Sequence, residues 1–151
     1  MKIICYVIFV GVCFLTAACE YKGTPVEYSN TCARENDDKY VELIGFFNNT
    51  GRTMCSKSGR EPMRCPVDFV DQPGSVMRPI RAWIDRGLGA SSIDAEKDQP
   101  LRIRDDKGEI IENSQKVKII AGVTVFDDAS RAGDPNSAAC YITVRKIERT
   151  Q

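Results

Sequence analysis

Apolar and polar residues alternate along most of the chain after residue 38, which is the pattern of strands with one buried face. In residues 40–47, Val41, Leu43 and Phe47 fall on one face, and Gly45 marks a bend or a close approach of another backbone. These positions predict a long, half-buried strand. Five apolar residues of a second long segment share a face in the same way: Val117, Ile119, Ala121, Val123 and Val125.

Shorter segments add further strands. Residues 65–70 and 140–145 both alternate between apolar and polar side chains. Residues 101–104 and 109–111 do the same, and residues 105–108 between them have the composition of a tight turn, with glycine where a positive φ is needed. This region therefore predicts a hairpin.

Residues 80–85 fit both a strand and a helix. Pro79 before them, and Gly87 and Gly89 after them, favour the strand. The chain as a whole then has about six strands and little helix, which is typical of a small β-barrel. The helical alternative rests on four apolar residues that would share one helical face: Ile80, Trp83, Ile84 and Leu88.

The N-terminus has the composition of an export signal. Lys2 gives a basic start, residues 3–15 are apolar, and residues 16–18 are small, with Cys19 directly after them. The apolar segment is short for a membrane-spanning helix. We therefore predict a signal peptide over residues 1–18, whose removal leaves Cys19 as the new N-terminus.

This N-terminus resembles a bacterial lipoprotein signal, in which the cysteine after the cut carries diacylglycerol and an N-acyl chain such as palmitate. In that pattern an aliphatic residue usually lies three residues before the cysteine. Here the aliphatic residue is Leu15, which lies four residues before Cys19. An ordinary secretory cut at the same bond is the alternative. Cysteine parity favours lipidation: Cys5 and Cys13 leave with the signal, and lipid on Cys19 then leaves four cysteines for two disulfides.

The predicted organisation is a signal peptide over residues 1–18, a lipidated cysteine with a polar tether over residues 19–38, and one barrel domain over residues 39–151. Basic and acidic residues are equal in number, 21 of each, which argues against a nucleic-acid partner. The chain contains no histidine, which excludes imidazole-based catalytic triads and most zinc sites.

Three segments together resemble the OB-fold: an early strand over residues 41–45, a late strand over residues 117–122 and a last strand over residues 142–147. Two of them carry a glycine that permits bending, and the resemblance covers residues 39–149. It implies a mainly β, OB-like barrel of five or six strands. OB-folds bind oligonucleotides, oligosaccharides or proteins on the barrel face, and the fold alone selects none of these.

The barrel also suggests how the four remaining cysteines pair. Three pairings are open in principle. Cys55 and Cys65 would flank the loop between the first two strands, and Cys32 with Cys140 would join the tether to the start of the last strand. We predict this pairing, with each bridge stabilising the fold mainly by restricting the unfolded chain.

No segment has the spacing of a catalytic or metal-binding motif. Neither a glycine-rich phosphate loop nor a hydrolase elbow occurs. We predict no catalytic residue, no metal and no cofactor. One acidic loop has oxygen ligands that could suit calcium, but not at the spacing of a known calcium loop: Asp127, Asp128, Asp134 and Asn136.

Aromatic and basic side chains at outward strand positions form a candidate binding face. Aromatic stacking beside positive charge is the combination that holds sugars or single strands. The alternative is a solvated sheet whose basic residues simply alternate with core residues. The candidate residues are Trp83, Arg81, Arg102, Arg104, Lys116, Lys118 and Phe126.

The sequence thus predicts a bacterial envelope lipoprotein, held at a membrane by its lipid and facing the periplasm or the exterior. It would act as a non-catalytic binding or structural module for an envelope protein or a saccharide. The alternatives are a tethered or secreted hydrolase that uses carboxylates, and an inhibitor or immunity-type protein.

Overall fold

The computed structural model describes residues 21–48, 54–95, 101–112, 114–127 and 138–150. In this part of the chain, helix is limited to two 3₁₀ turns, Tyr28–Asn30 and Arg34–Asn36. No helix there has the length and apolar character needed to cross a membrane. Nine strands are described: β1 (Thr24–Pro25), β2 (Tyr40–Asn48), β3 (Arg64–Val70), β4 (Ile80–Asp85), β5 (Ile93–Asp94), β6 (Arg102–Arg104), β7 (Ile110–Ile111), β8 (Val117–Asp127) and β9 (Ala138–Arg149).

Five strands close into a barrel in the order β2, β3, β4, β9 and β8, because β8 pairs back onto β2. All neighbours in the barrel are antiparallel except β4 and β9, which are parallel. This confirms the predicted fold class, a small, mainly β barrel of OB-like character with little helix. Residues 80–85 form a strand, β4, and not the alternative helix.

The inward face of each long strand fills the core as the alternation predicts. In β2, Val41 and Leu43 are almost completely buried, and Phe47 packs edge-on against Phe69 of β3. Gly45 lies where β3 crosses closely, since a Cβ at this position would lie 2.4 Å from the carbonyl oxygen of Val70. The predicted close approach at this glycine is therefore present.

A small second sheet lies between β4 and β8 in the chain and consists of β5, β6 and β7. The turn from β6 to β7 contains Gly108 at a φ of +81°. Asp105 is buried at this turn and accepts hydrogen bonds from the backbone N–H groups of Lys107 and Glu109. Its carboxylate also pairs with Arg149 at 2.8 Å, which joins the hairpin to the last strand.

The described part of the chain contains two disulfides, Cys32–Cys140 and Cys55–Cys65. The first joins the segment before the barrel to β9, and the second joins β3 to the loop that precedes it. The pairing is the predicted one, and disulfides are part of what stabilises the fold.

The described part of the predicted tether, residues 21–38, packs against the barrel. Within it, β1 pairs in parallel with β2. Tyr28 is held more tightly: its hydroxyl accepts a hydrogen bond from the N–H of Ile80 at 3.1 Å and lies 2.9 Å from the carbonyl oxygens of Phe69 and Arg78. Burial raises the pKa of Tyr28 to about 12, so this hydroxyl remains a donor at ordinary pH.

We expect Tyr28→Phe to lower the free energy of unfolding by about 1–3 kcal/mol, because buried backbone groups of β3 and β4 lose their hydrogen-bond partner. Urea unfolding with both disulfides intact measures this loss. Tyr40→Phe is the matched control, since this exposed tyrosine should change stability by less than about 0.5 kcal/mol. Equal losses in the two variants would contradict the role given to the Tyr28 hydroxyl.

Candidate functional site

Two neighbouring pockets lie on the outer face of the barrel over β4 and β9. The first has a volume of about 520 Å³ and is lined by Trp83 and Arg81 of β4, Tyr141 of β9, Phe126 of β8, and Tyr28. It brings together three of the predicted face residues, namely Trp83, Arg81 and Phe126. It is large enough to accept a small ligand.

The second pocket has a volume of about 590 Å³ and shares Trp83 and Tyr141 with the first. The two pockets therefore form one continuous surface with an aromatic pair at its centre, which we call the groove. The rest of the second pocket is mainly polar, with hydroxyl and charged side chains: Ser56, Ser58, Glu61, Arg64, Thr124, Thr143 and Arg145.

The parallel pairing of β4 with β9 sets the positions of the two central rings. Trp83 lies opposite Thr143, and Arg81 lies opposite Tyr141, so the two aromatic residues are staggered diagonally across neighbouring strands. Phe126 extends the aromatic surface, since its ring centroid lies 6.3 Å from that of Tyr141. The rings of Trp83 and Tyr141 face outward because the residues on either side of each of them in its strand face the core.

Two of the arginines that line the groove are neutralised by carboxylates. Arg64 pairs with Asp85 at 2.8 Å and with Glu61 at 3.0 Å. Arg81 pairs with Asp68 at 3.3 Å. The groove is therefore aromatic and polar, without the continuous basic stripe that tracks a nucleic-acid backbone.

Arg145 differs from these paired arginines. Its Nε is buried and has no hydrogen-bond partner among the described residues. It lies at a bulge in β9: Ile120 of β8 pairs with Lys146 and Ala121 pairs with Val144, so Arg145 has no partner on β8. Bulges change the direction of a side chain relative to the regular strand.

The structure places the other predicted face residues elsewhere. Arg102 and Arg104 lie on β6 of the small sheet and line neither pocket of the groove. Arg104 pairs with Asp94 at 3.7 Å and donates to the carbonyl oxygen of Gly108 at 3.1 Å. Arg104 thus joins β6 to β5 and to the turn before β7, and both arginines lie away from the groove because β6 pairs with β5 and β7 and is not a barrel strand.

Lys118 lies on the barrel surface of β2, β8 and β9, away from the groove lining. Its ammonium group contacts Glu148 at 2.7 Å and Glu42 at 3.7 Å, and Lys146 contacts Glu148 at 2.7 Å and Asp106 at 3.9 Å. We call these five residues the ion-pair ladder. Hydrogen bonding to Glu148 raises the pKa of Lys118, and hydrogen bonds from Lys118 and Lys146 lower the pKa of Glu148.

Several predicted site residues lie outside the described part of the chain. These are Cys19 with the rest of the signal region, and Asp128, Asp134 and Asn136 of the acidic loop. Asp127 is described and forms an ion pair with Arg34. Within the described ranges, no group of three or more acidic or cysteine side chains is arranged to hold a metal ion.

No protein-family model matches the chain, and no curated protein matches it. Among solved structures, it is similar to a protein assigned as an aspartyl-tRNA synthetase from Leishmania major Friedlin, at 16% sequence identity and a TM-score of 0.45. The similarity covers 87% of this chain and spans 22% of that protein's length. A similarity at this level supports no inference about function.

Sequence reasoning missed Tyr141 and Arg145. Tyr141 was detectable, because it precedes the inward Ile142 and so had to face outward. Arg145 also left a signal: inward residues at 142 and 144 are followed by inward Ile147, and this change of phase indicates a bulge. The outward direction of both residues could therefore be predicted from the alternation of β9, once its change of phase is taken into account.

The lowered pKa of Glu148 predicts a pH dependence of stability. A carboxyl group whose pKa is lower in the folded state stabilises the protein above its ordinary pKa of 4.5, and this contribution is lost as the pH falls below that value. We therefore expect Glu148→Gln to be destabilising at neutral pH, and its difference from wild type to shrink towards about pH 3.

Urea unfolding at both pH values measures that difference. Glu35→Gln is the control, since Glu35 is exposed and forms no ion pair within the described residues. A difference between Glu148→Gln and wild type that stays constant with pH would contradict the ladder's contribution.

Proposed function

We propose that this protein is a bacterial envelope lipoprotein that binds a partner in the groove and carries out no catalysis. The observation that supports binding is the aromatic pair Trp83 and Tyr141, which is shared by two adjoining pockets on one face of the barrel. Its partner would be a saccharide or a protein of the cell envelope. Partly exposed aromatic residues surrounded by hydroxyl groups suit either class.

The lipid anchor is proposed from the N-terminal sequence together with the cysteine pairing. The two disulfides are formed by four cysteines: Cys32, Cys55, Cys65 and Cys140. In a mature chain that begins at Cys19, no other cysteine is left to pair with it. Lipidation would explain a fifth cysteine in an oxidising compartment, and the acyl chains would hold the protein at a membrane surface.

A carboxylate-dependent hydrolase is the alternative from another class. Two carboxylates line the groove, Glu61 and Asp68, and each is held by an arginine, Arg64 and Arg81 respectively. Retaining and inverting glycosidases need a protonated acid and a free carboxylate at a defined separation. Ion pairing of both groups favours a binding role over this chemistry.

We expect the protein extracted from bacterial membranes to have the intact mass of a chain that starts at Cys19 plus a diacylglyceryl and an acyl group. Four cysteines should react with a thiol label only after reduction. Cys19→Ser is the control and should lose both the added mass and the membrane association. An unmodified mass with one free thiol would show an ordinary secreted protein.

We expect the purified protein to bind isolated cell envelopes through the groove. Tyr141→Ala should weaken binding by roughly tenfold, since truncating a central aromatic side chain removes much of the contact energy. The bound fraction after sedimentation measures this loss. Tyr40→Ala is the matched control, because Tyr40 lies on β2 and lines neither pocket. Unchanged binding by Tyr141→Ala would overturn the groove as the binding site.

A further inference from the structure

We propose that the groove binds a saccharide that carries a carboxylate, and that Arg145 holds this carboxylate. This inference rests on the proposed function of the groove and names the class of its ligand. Three features carry it: the direction of Arg145, its lack of an ion-pair partner among the described residues, and the composition of the surrounding pocket.

The bulge in β9 separates two consecutive cations. Val144 and Ile147 face inward, so the two residues between them, Arg145 and Lys146, both face outward. Lys146 joins the ion-pair ladder through Glu148 and Asp106. Arg145 lines the second pocket of the groove instead. Arg145 thus continues the outward alternation of Tyr141 and Thr143 into the groove, and the bulge after it turns Lys146 outward to the ladder.

Arg145 forms no ion pair with a described carboxylate. Arg64 and Arg81 each have a carboxylate partner, whereas the Nε of Arg145 is buried without one. Because Arg145 lines the second pocket, a ligand carboxylate bound there would supply the ion-pair partner that the described residues do not. The planar guanidinium group matches a carboxylate with two parallel hydrogen bonds, so a carboxylate is the acceptor that fits it best.

The remaining lining favours a sugar over a nucleic acid. The rings of Trp83 and Tyr141 can stack on the apolar face of a pyranose ring. Hydroxyl groups of four serine and threonine side chains, and the carboxylate of Glu61, can exchange hydrogen bonds with sugar hydroxyls. A polyanionic strand would meet Glu61 and Asp68, and the arginines paired with these two carboxylates are already neutralised. An oligosaccharide with isolated negative charges avoids this repulsion.

The test compares an oligogalacturonate with its methyl ester, which has the same sugar backbone without the charge. Trp83 is the only tryptophan of the chain, so its fluorescence reports binding in the groove directly. We expect the acid form to bind the purified mature protein roughly 10- to 100-fold more tightly than the ester. Arg145→Gln should abolish this difference, and Arg145→Lys should restore part of it.

Lys146→Gln is the matched control, because it removes the neighbouring positive charge on the other side of the bulge and should keep the preference for the acid form. The emission of Trp83 in each unliganded variant verifies that the groove is intact. Oligo-dT is titrated in parallel as the nucleic-acid probe.

Equal binding of acid and ester by the wild type would overturn the role of the carboxylate, as would failure of both sugars to bind. Binding of oligo-dT in place of the sugars, with loss in Arg145→Gln, would overturn it in favour of a nucleic acid. Failure of the proposed function is a separate result, namely unchanged envelope binding by Tyr141→Ala. The two experiments therefore distinguish a wrong ligand class from a wrong site.

Discussion

Pairing of β8 on both of its edges is the constraint on which the rest of the molecule depends. This strand has 11 residues and pairs with β2 on one side and with β9 on the other, which closes the barrel. Its partners come from opposite ends of the folded chain, so closure requires contacts between residues far apart in sequence. Closure curves the surface and brings the groove residues of β4, β8 and β9 to one side.

The long strands could be predicted from sequence because each buries only one face, which imposes a period of two on its residues. In residues 80–85, flanking proline and glycine residues correctly favoured a strand over a helix. The strands β1 and β5 have two residues each and show no period at all. The position of Tyr28 over the barrel could not be predicted from the sequence either, since its hydrogen-bond partners are backbone groups of distant strands.

The candidate site was predictable only in part, for a geometrical reason. Alternation shows which residues face away from the core, but outward residues of a closed barrel point in all directions. Trp83, Arg81 and Phe126 meet in the groove, while Lys118 joins the ion-pair ladder and Arg104 supports the small sheet. Which outward residues become neighbours depends on strand order and register, and neither is encoded in a local pattern.

The bulge at Arg145 has a consequence for how this barrel can diverge. Because the residue at this position has no counterpart on β8 and is not one of the buried core residues, its identity can change while the strand pairing that closes the barrel is maintained. Related barrels could therefore differ in the chemistry of this pocket through a single position, with the strand pairing unaltered. Such a position allows the surface of the pocket to change independently of the fold.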